Sequence, residues 1–142
     1  MNARRVLLGT GPLVALLNAM DSSHELCLAT FDALRAPLYT CWPVVTEAAW
    51  MLRNRRRPGE SLAAAQSSGV FEILDLGANS LKDIAAIMTR YESLGLQMAD
   101  ATLLHLADRE SIRTIFTLDR RDFTVVRLKR NRPLRLIPEA EN

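Results

Sequence analysis

Three acids in this 142-residue chain stand where a solvated carboxylate is not the default expectation. The helix expected over 43–52 carries an apolar stripe of Val44, Ala48, Met51 and Leu52, and Glu47 falls on that same stripe. A carboxylate there is costly unless it is paired or holds a metal, the alternative being a first-turn glutamate favoured by the helix dipole. Asp100 opens a helix over 101–109 whose apolar residues are Ala101, Leu103, Leu104 and Ala107, so it is either a helix cap or a ligand. Asp119 directly follows a strand expected over 115–118, and Asp122 comes three residues later; singly, either is an ordinary turn acid. Taken together, these carboxylates can converge in one cleft. Like charges held that close need a cation, and hard oxygen ligands without His or Cys select Mg2+ or Mn2+. Such a centre lowers the pKa of bound water and neutralises charge on a phosphate, the chemistry of phosphodiester hydrolysis.

The basic residues suit the same substrate. Of 18 basic residues, 16 are Arg, the side chain whose planar fork grips phosphate in bidentate fashion. One cluster is Arg53, Arg55, Arg56 and Arg57; the other is Arg120, Arg121, Arg127, Lys129, Arg130, Arg132 and Arg135. Both are candidate contacts for a nucleic-acid backbone, or else solvated surface, the first also complementing a helix C-terminus. His24 and His105 read as helix-surface or packing residues, with no Ser or Cys spaced to make a nucleophilic triad. Trp42 and Trp50, on either side of Glu47, read as core or dimer packing, although Trp42 can also line a cleft.

The elements that must position these groups alternate along the chain. Strands are expected over 6–8, 38–41, 70–74, 115–118 and 134–137. Helices are expected after Gly9-Thr10-Gly11-Pro12, from Ser22 or Ser23 to Leu34, and over 43–52, 60–68, 80–94 and 101–109. Pro58-Gly59 punctuates, Gly69 and Gly95 end helices, and Ser80 caps one. Short apolar strands alternating with helices give an α/β class, three layers around a parallel sheet, in one domain over 1–142. In such sheets ligands collect at the carboxyl ends of the strands.

Composition agrees, with 49% hydrophobic and 24% charged residues and a net charge of +2. These values exclude collagen-like, disordered and coiled-coil chains. Two cysteines make no disulfide framework and no zinc pattern, which points to a reduced, cytoplasmic setting. Arg4 and Arg5 before the uncharged run 6–20 imitate a secretory leader. Gly9, Gly11 and Pro12 break that run, and it falls short of the ~20 residues that cross a bilayer, so no membrane partner is expected.

Four segments, in order and spacing, resemble the PIN-domain ribonucleases, and most closely the VapC-type toxins of prokaryotic toxin–antitoxin pairs. They are Gly9-Thr10-Gly11-Pro12-Leu13-Val14-Ala15-Leu16-Leu17-Asn18, Thr46-Glu47, Ala99-Asp100-Ala101 and Thr117-Leu118-Asp119-Arg120-Arg121-Asp122-Phe123. The likeness covers roughly residues 5–137. It implies a three-layer α/β/α PIN-like fold with a Mg2+- or Mn2+-dependent endoribonuclease site at the edge of a central parallel sheet. It also implies an RNA substrate, a homodimer, and a small cognate antitoxin that blocks the cleft. Glu47, Asp100 and Asp119 then occupy metal-ligand positions, and Asp122 assists. Thr10 and Thr117 stand beside the site, and Thr10, Arg120 and Arg121 lie where RNA would pass. Asp75 follows a strand, but the family pattern gives it no role.

One position departs from the pattern. The family carries an aspartate before Thr-Gly-Pro as its central metal ligand, and this chain has Gly9. Glycine offers no side-chain oxygen, so cleavage by this chain is expected to be weak or absent. Either Gly9 is an inactivating change in a toxin, which the three remaining acids favour, or the chain is a silenced module that still binds RNA or an antitoxin. A receiver-like signalling domain has the same size and class, but it needs a lysine at the end of a later strand. Lys82 and Lys129, the only lysines, are not so placed.

Overall fold

Val6, Leu7 and Leu8 are apolar in succession, as suits a strand covered on both faces, and in the computed structural model all three are buried. The structure describes residues 5–35 and 37–139; Arg4, the first of the two arginines ahead of the leader-like run, lies outside them. Leu7–Leu8 (β1) is the middle of a five-stranded sheet. Its neighbours are Leu38–Thr40 (β2) and Thr114–Phe116 (β4), with Phe71–Ile73 (β3) and Arg135–Ile137 (β7) at the edges. Every pairing is parallel, with Leu7 opposite both Tyr39 and Ile115, and Ile115 opposite Leu136.

Parallel neighbours require crossovers, and the helices supply them. They are Thr10–Leu17 (α1), His24–Ala33 (α2), Trp42–Met51 (α3), Pro58–Ser67 (α4), Ser80–Arg90 (α5), Met98–Glu110 (α6) and Arg120–Thr124 (α7). The result is the expected three-layer α/β/α arrangement. Its core joins Leu7, Leu8, Ile115 and Phe116 of the sheet to Leu13, Val44, Leu103 and Leu106 of the helices. Each such side chain contributes about 1.5–3 kcal/mol on burial. None of the helices among the described residues is long and apolar enough to cross a membrane.

Several local expectations change. The helix expected from Asp100 onward starts a turn earlier, at Met98 with Gln97 as its cap, so Asp100 is a first-turn acid and not the cap. The segment expected as one helix over 80–94 ends at Arg90 and continues as a 3-10 turn, Glu92–Leu94, closed by Gly95 at φ 64°. Asn79, not Ser80, is the N-cap of α5. Pro58-Gly59 begins α4, because proline fits a first turn that leaves its N–H unused anyway. Met51 is 51% exposed, so the buried stripe of α3 is narrower than its apolar residues suggest. Trp42 and Trp50 are 59% and 65% exposed, and neither belongs to the core. Two further strands, Arg127–Leu128 (β5) and Arg132–Pro133 (β6), form a small antiparallel ribbon that the sequence does not announce.

Candidate active site

The turn after β1 places position 9 at the carboxyl end of the sheet. Gly9 is the N-cap of α1, in extended backbone at φ −83° and ψ 170°, with no side-chain cap on the helix. That conformation suits any L-residue, so the backbone does not demand glycine. A Cβ at position 9 would stand 3.1 Å from the carbonyl oxygen of Phe116 and 3.8 Å from the Cβ of Thr117, at the end of β4.

The other acids come from elements meeting that same end. Glu47 lies in the middle of α3, half-buried beside Val44 and Ala48. Asp100 sits half-buried in the first turn of α6. Asp119 is the N-cap of α7, exposed, and Asp122 lies in the first turn of that helix. Thr117, itself buried, accepts the backbone N–H of Asp119 on its Oγ1 at 3.0 Å, which fixes the turn that presents the acid.

The carboxylates feel one another. Burial first, and then the charges of Asp119, Glu47 and Asp122, push the carboxyl of Asp100 up to about 7. Asp119 is raised as well, by burial and then by the adjacent charge of Asp122, while Arg121 pulls the other way. Cys41, the N-cap of α3, is close enough for the charge of Asp100 to add to the burial that takes its thiol to about 12. The sequence-predicted acids therefore share one electrostatic neighbourhood. They are not drawn into a ligand cage: among the described residues, no three His, Cys, Asp or Glu side chains stand in metal-holding geometry.

Two observations test whether these residues fit a metal. The first is the pressure on Asp100, which a cation would relieve. The second is Thr10, 7% exposed, whose Oγ1 is buried without a hydrogen-bond partner among the described residues. A buried orphan hydroxyl is uncommon and suits a position that orients a bound water or ion. The donors are oxygen alone, the chemistry that a hard divalent cation prefers, although these carboxylates are not drawn in close enough to enclose one.

The arginines divide by role. Arg120 turns inward and donates from Nη1 to the carbonyls of Leu136 and Pro138, tying α7 to the end of β7. Arg121 stays exposed beside Asp119. In the earlier cluster, Arg57 pairs with Glu60 at 3.6 Å and Arg53 stacks on Trp50. His24 packs as expected, its Nδ1 2.7 Å from the carbonyl of Ala15, while His105 is half-buried on α6, burial and Arg109 lowering its pKa. A cavity of about 470 Å³ lined by Arg5, Arg113 and Arg135 lies at the opposite, amino ends of the strands. Sequence reasoning missed α7 as a helix and Cys41 as a neighbour of Asp100; only the position of Cys41 at the end of an expected strand hinted at the latter.

Comparison with known proteins places this geometry. The PIN domain family matches residues 6–129. Ribonuclease VapC26 of Mycobacterium tuberculosis is 31% identical over 124 residues, covering 86% of this chain and 92% of that protein. Among solved structures, Mycobacterium tuberculosis VapC20, described as a sarcin-ricin loop cleaving toxin, superposes with a TM-score of 0.72. The identity is 19%, over 82% of this chain and 92% of that one. VapBC2 from Rickettsia felis, solved bound to a DNA fragment from its promoter, gives a TM-score of 0.54 at 20% identity, covering 92% and 96% of the two chains. At those identities the two structures speak for the fold.

Proposed function

The chain belongs to the PIN domain family, among the VapC ribonucleases, and from that premise we propose a metal-dependent endoribonuclease, the toxin of a toxin–antitoxin pair. The observation that carries the reading is the raised carboxyl of Asp100, pressed by Asp119, Glu47 and Asp122 at the carboxyl end of a parallel sheet. Glu47, Asp100 and Asp119 would hold the metal, Mg2+ or Mn2+, and Asp122, beside Asp119, would add its negative charge to the site. The metal, when bound, supplies a water activated for attack on a phosphodiester and charge to offset the phosphate. Thr117 orients Asp119 by accepting its N–H, and the orphan hydroxyl of Thr10 is available to a water or a phosphate oxygen. Arg121, exposed beside the acids, attracts the RNA backbone, while Arg120 keeps α7 in place.

The reading extends to a single PIN domain that acts as a homodimer in the cytoplasm and is restrained by a small antitoxin. The supports are the family, the sequence likeness to a VapC ribonuclease, and the fold shared with a chain of the VapBC2 complex.

Gly9 favours a second reading. Its backbone is ordinary, so glycine removes a ligand there without any conformational gain, as in a module that binds RNA or antitoxin but does not cut. RNA cleavage by this chain and by Gly9→Asp, each with Mg2+ or Mn2+ and with chelator, separates the two. Metal-dependent cutting by the variant alone identifies a nuclease lacking one ligand. Cutting by neither, with RNA still bound, identifies the binding module.

A further inference from the structure

Both tryptophans of the chain lie on one outward face of α3. Trp42, Thr46 and Trp50 follow at i, i+4 and i+8, all exposed, opposite the buried stripe of Val44 and Ala48. Trp42 starts the helix just past the end of β2, at the carboxyl end of the sheet, so that end of the face borders the acids. At the other end, the guanidinium of Arg53 sits 4.0 Å from the ring centroid of Trp50 and is held there by a 2.9 Å bond from its Nη1 to the Trp50 carbonyl. Arg55 and Arg56 follow, both exposed. Tryptophans this exposed are not serving the core, and Trp50 stacks against arginine.

We infer that the Trp42–Trp50 face of α3 is a stacking track for single-stranded RNA leading away from the acidic site. Indole faces accept any base, and a planar arginine beside them adds cation–π and phosphate contacts, the combination that sequence-tolerant single-strand binding uses. At about 1.5 Å rise per residue the two indoles stand about 12 Å apart along the helix, a span that an extended strand crosses in about two nucleotides. The excess of Arg53, Arg55 and Arg56 complements a polyanion and opposes a basic partner surface. The inference rests on the ribonuclease reading for its substrate, but binding and not cleavage is its measure.

Because these two are the chain's only tryptophans, its indole emission reports on this face alone. The experiment titrates the full chain with a short unstructured RNA, reading indole quenching and the anisotropy of a labelled RNA. Trp42→Ala, Trp50→Ala, Trp50→Phe and Arg53→Ala are run beside it, with circular dichroism as the folding control. RNA quenches the wild-type emission, each alanine variant of a tryptophan binds about 10-fold more weakly, and Trp50→Phe recovers most of the loss. Wild-type affinity in all the variants, with RNA still bound, overturns the track and leaves the ribonuclease reading standing. Emission that shifts with protein concentration and ignores RNA overturns it in favour of contact between copies. Failure of the wild type to bind RNA at all removes both readings.

Discussion

Gly9 donates its backbone N–H to the carbonyl oxygen of Phe116 at 2.9 Å, welding the turn after β1 to the end of β4. That bond aims position 9 at Thr117, two residues before Asp119. An aspartate there inherits the aim. Its Cβ at 3.1 Å from the same oxygen asks for a small shift, costing about 1 kcal/mol, and a carboxylate cap on α1 returns a few tenths. Gly9→Asp should therefore fold with nearly unchanged stability and raise metal-dependent RNA cleavage by about 100-fold or more, since even outer-shell losses cost 10–100-fold. Gel assays of timed RNA digests check this. Equal rates for the two chains would dismiss Gly9 as the defect.

Asp100 ties stability to pH. Its folded carboxyl titrates near 7, above the ~3.9 of an unfolded chain, so between those values the fold holds a proton that the unfolded chain has lost. Stability therefore falls as pH rises from about 4 to about 7 and is level above. Asp100→Asn should abolish that component and be the more stable chain at pH 8, by on the order of 2 kcal/mol after solvent screening. Urea midpoints of both chains from pH 4 to 8 test it; parallel curves would refute it. Mn2+, competing with the proton, should raise the melting temperature of the wild type more at pH 8 than at pH 5.

Thr10→Val removes a buried hydroxyl without a partner among the described residues, so the metal-free variant should gain about 1 kcal/mol. The same change should reduce stabilisation by Mn2+. Thermal melts with and without metal read both effects, and a loss of stability without metal would show the hydroxyl to be already satisfied.

Arg120 and Arg121 should part company. Arg120→Ala frees the carbonyls of Leu136 and Pro138 and should cost about 1–2 kcal/mol in denaturant unfolding. Arg121→Ala should leave unfolding unchanged and weaken RNA binding with a shallower salt dependence. Identical behaviour of the two in both assays would refute this division.

The thiols should be inert in the fold. Burial takes Cys27 to about 11 and Cys41 to about 12, so neither supplies thiolate near neutrality. An aromatic disulfide reagent should react with both only in denaturant; fast reaction of the native chain would contradict the packing of α2 around Cys27 or of the start of α3 around Cys41.

The layer order and the acids were legible because both rest on strong local patterns. Apolar triplets such as 6–8 announce buried parallel strands, and Glu47 on an apolar stripe announces its own exception. What escaped depends on weaker or non-local causes. The five residues Arg120–Thr124 are too few to show a period, and their helix is fixed by Arg120 reaching β7, a contact across sixteen positions. The ribbon of β5 and β6 is built from two arginines, a leucine and a proline, none of them a strong strand former. Asp100 looked like a cap because Asp favours that place, yet Met98 and Ala99 extend the helix ahead of it. Exposure of Trp42 and Trp50 was hidden for a plainer reason: hydrophobicity does not say whether a neighbour exists to cover it.

β1 lies between β2 and β4, so the central strand gains its second neighbour only from residues 114–116. A nascent chain leaving the ribosome has β1, β2 and Glu47 long before Asp119 exists, and β7, to which Arg120 anchors α7, comes later still. The full set of acids is therefore brought together only by the last quarter of these residues, although its first member stands at position 47.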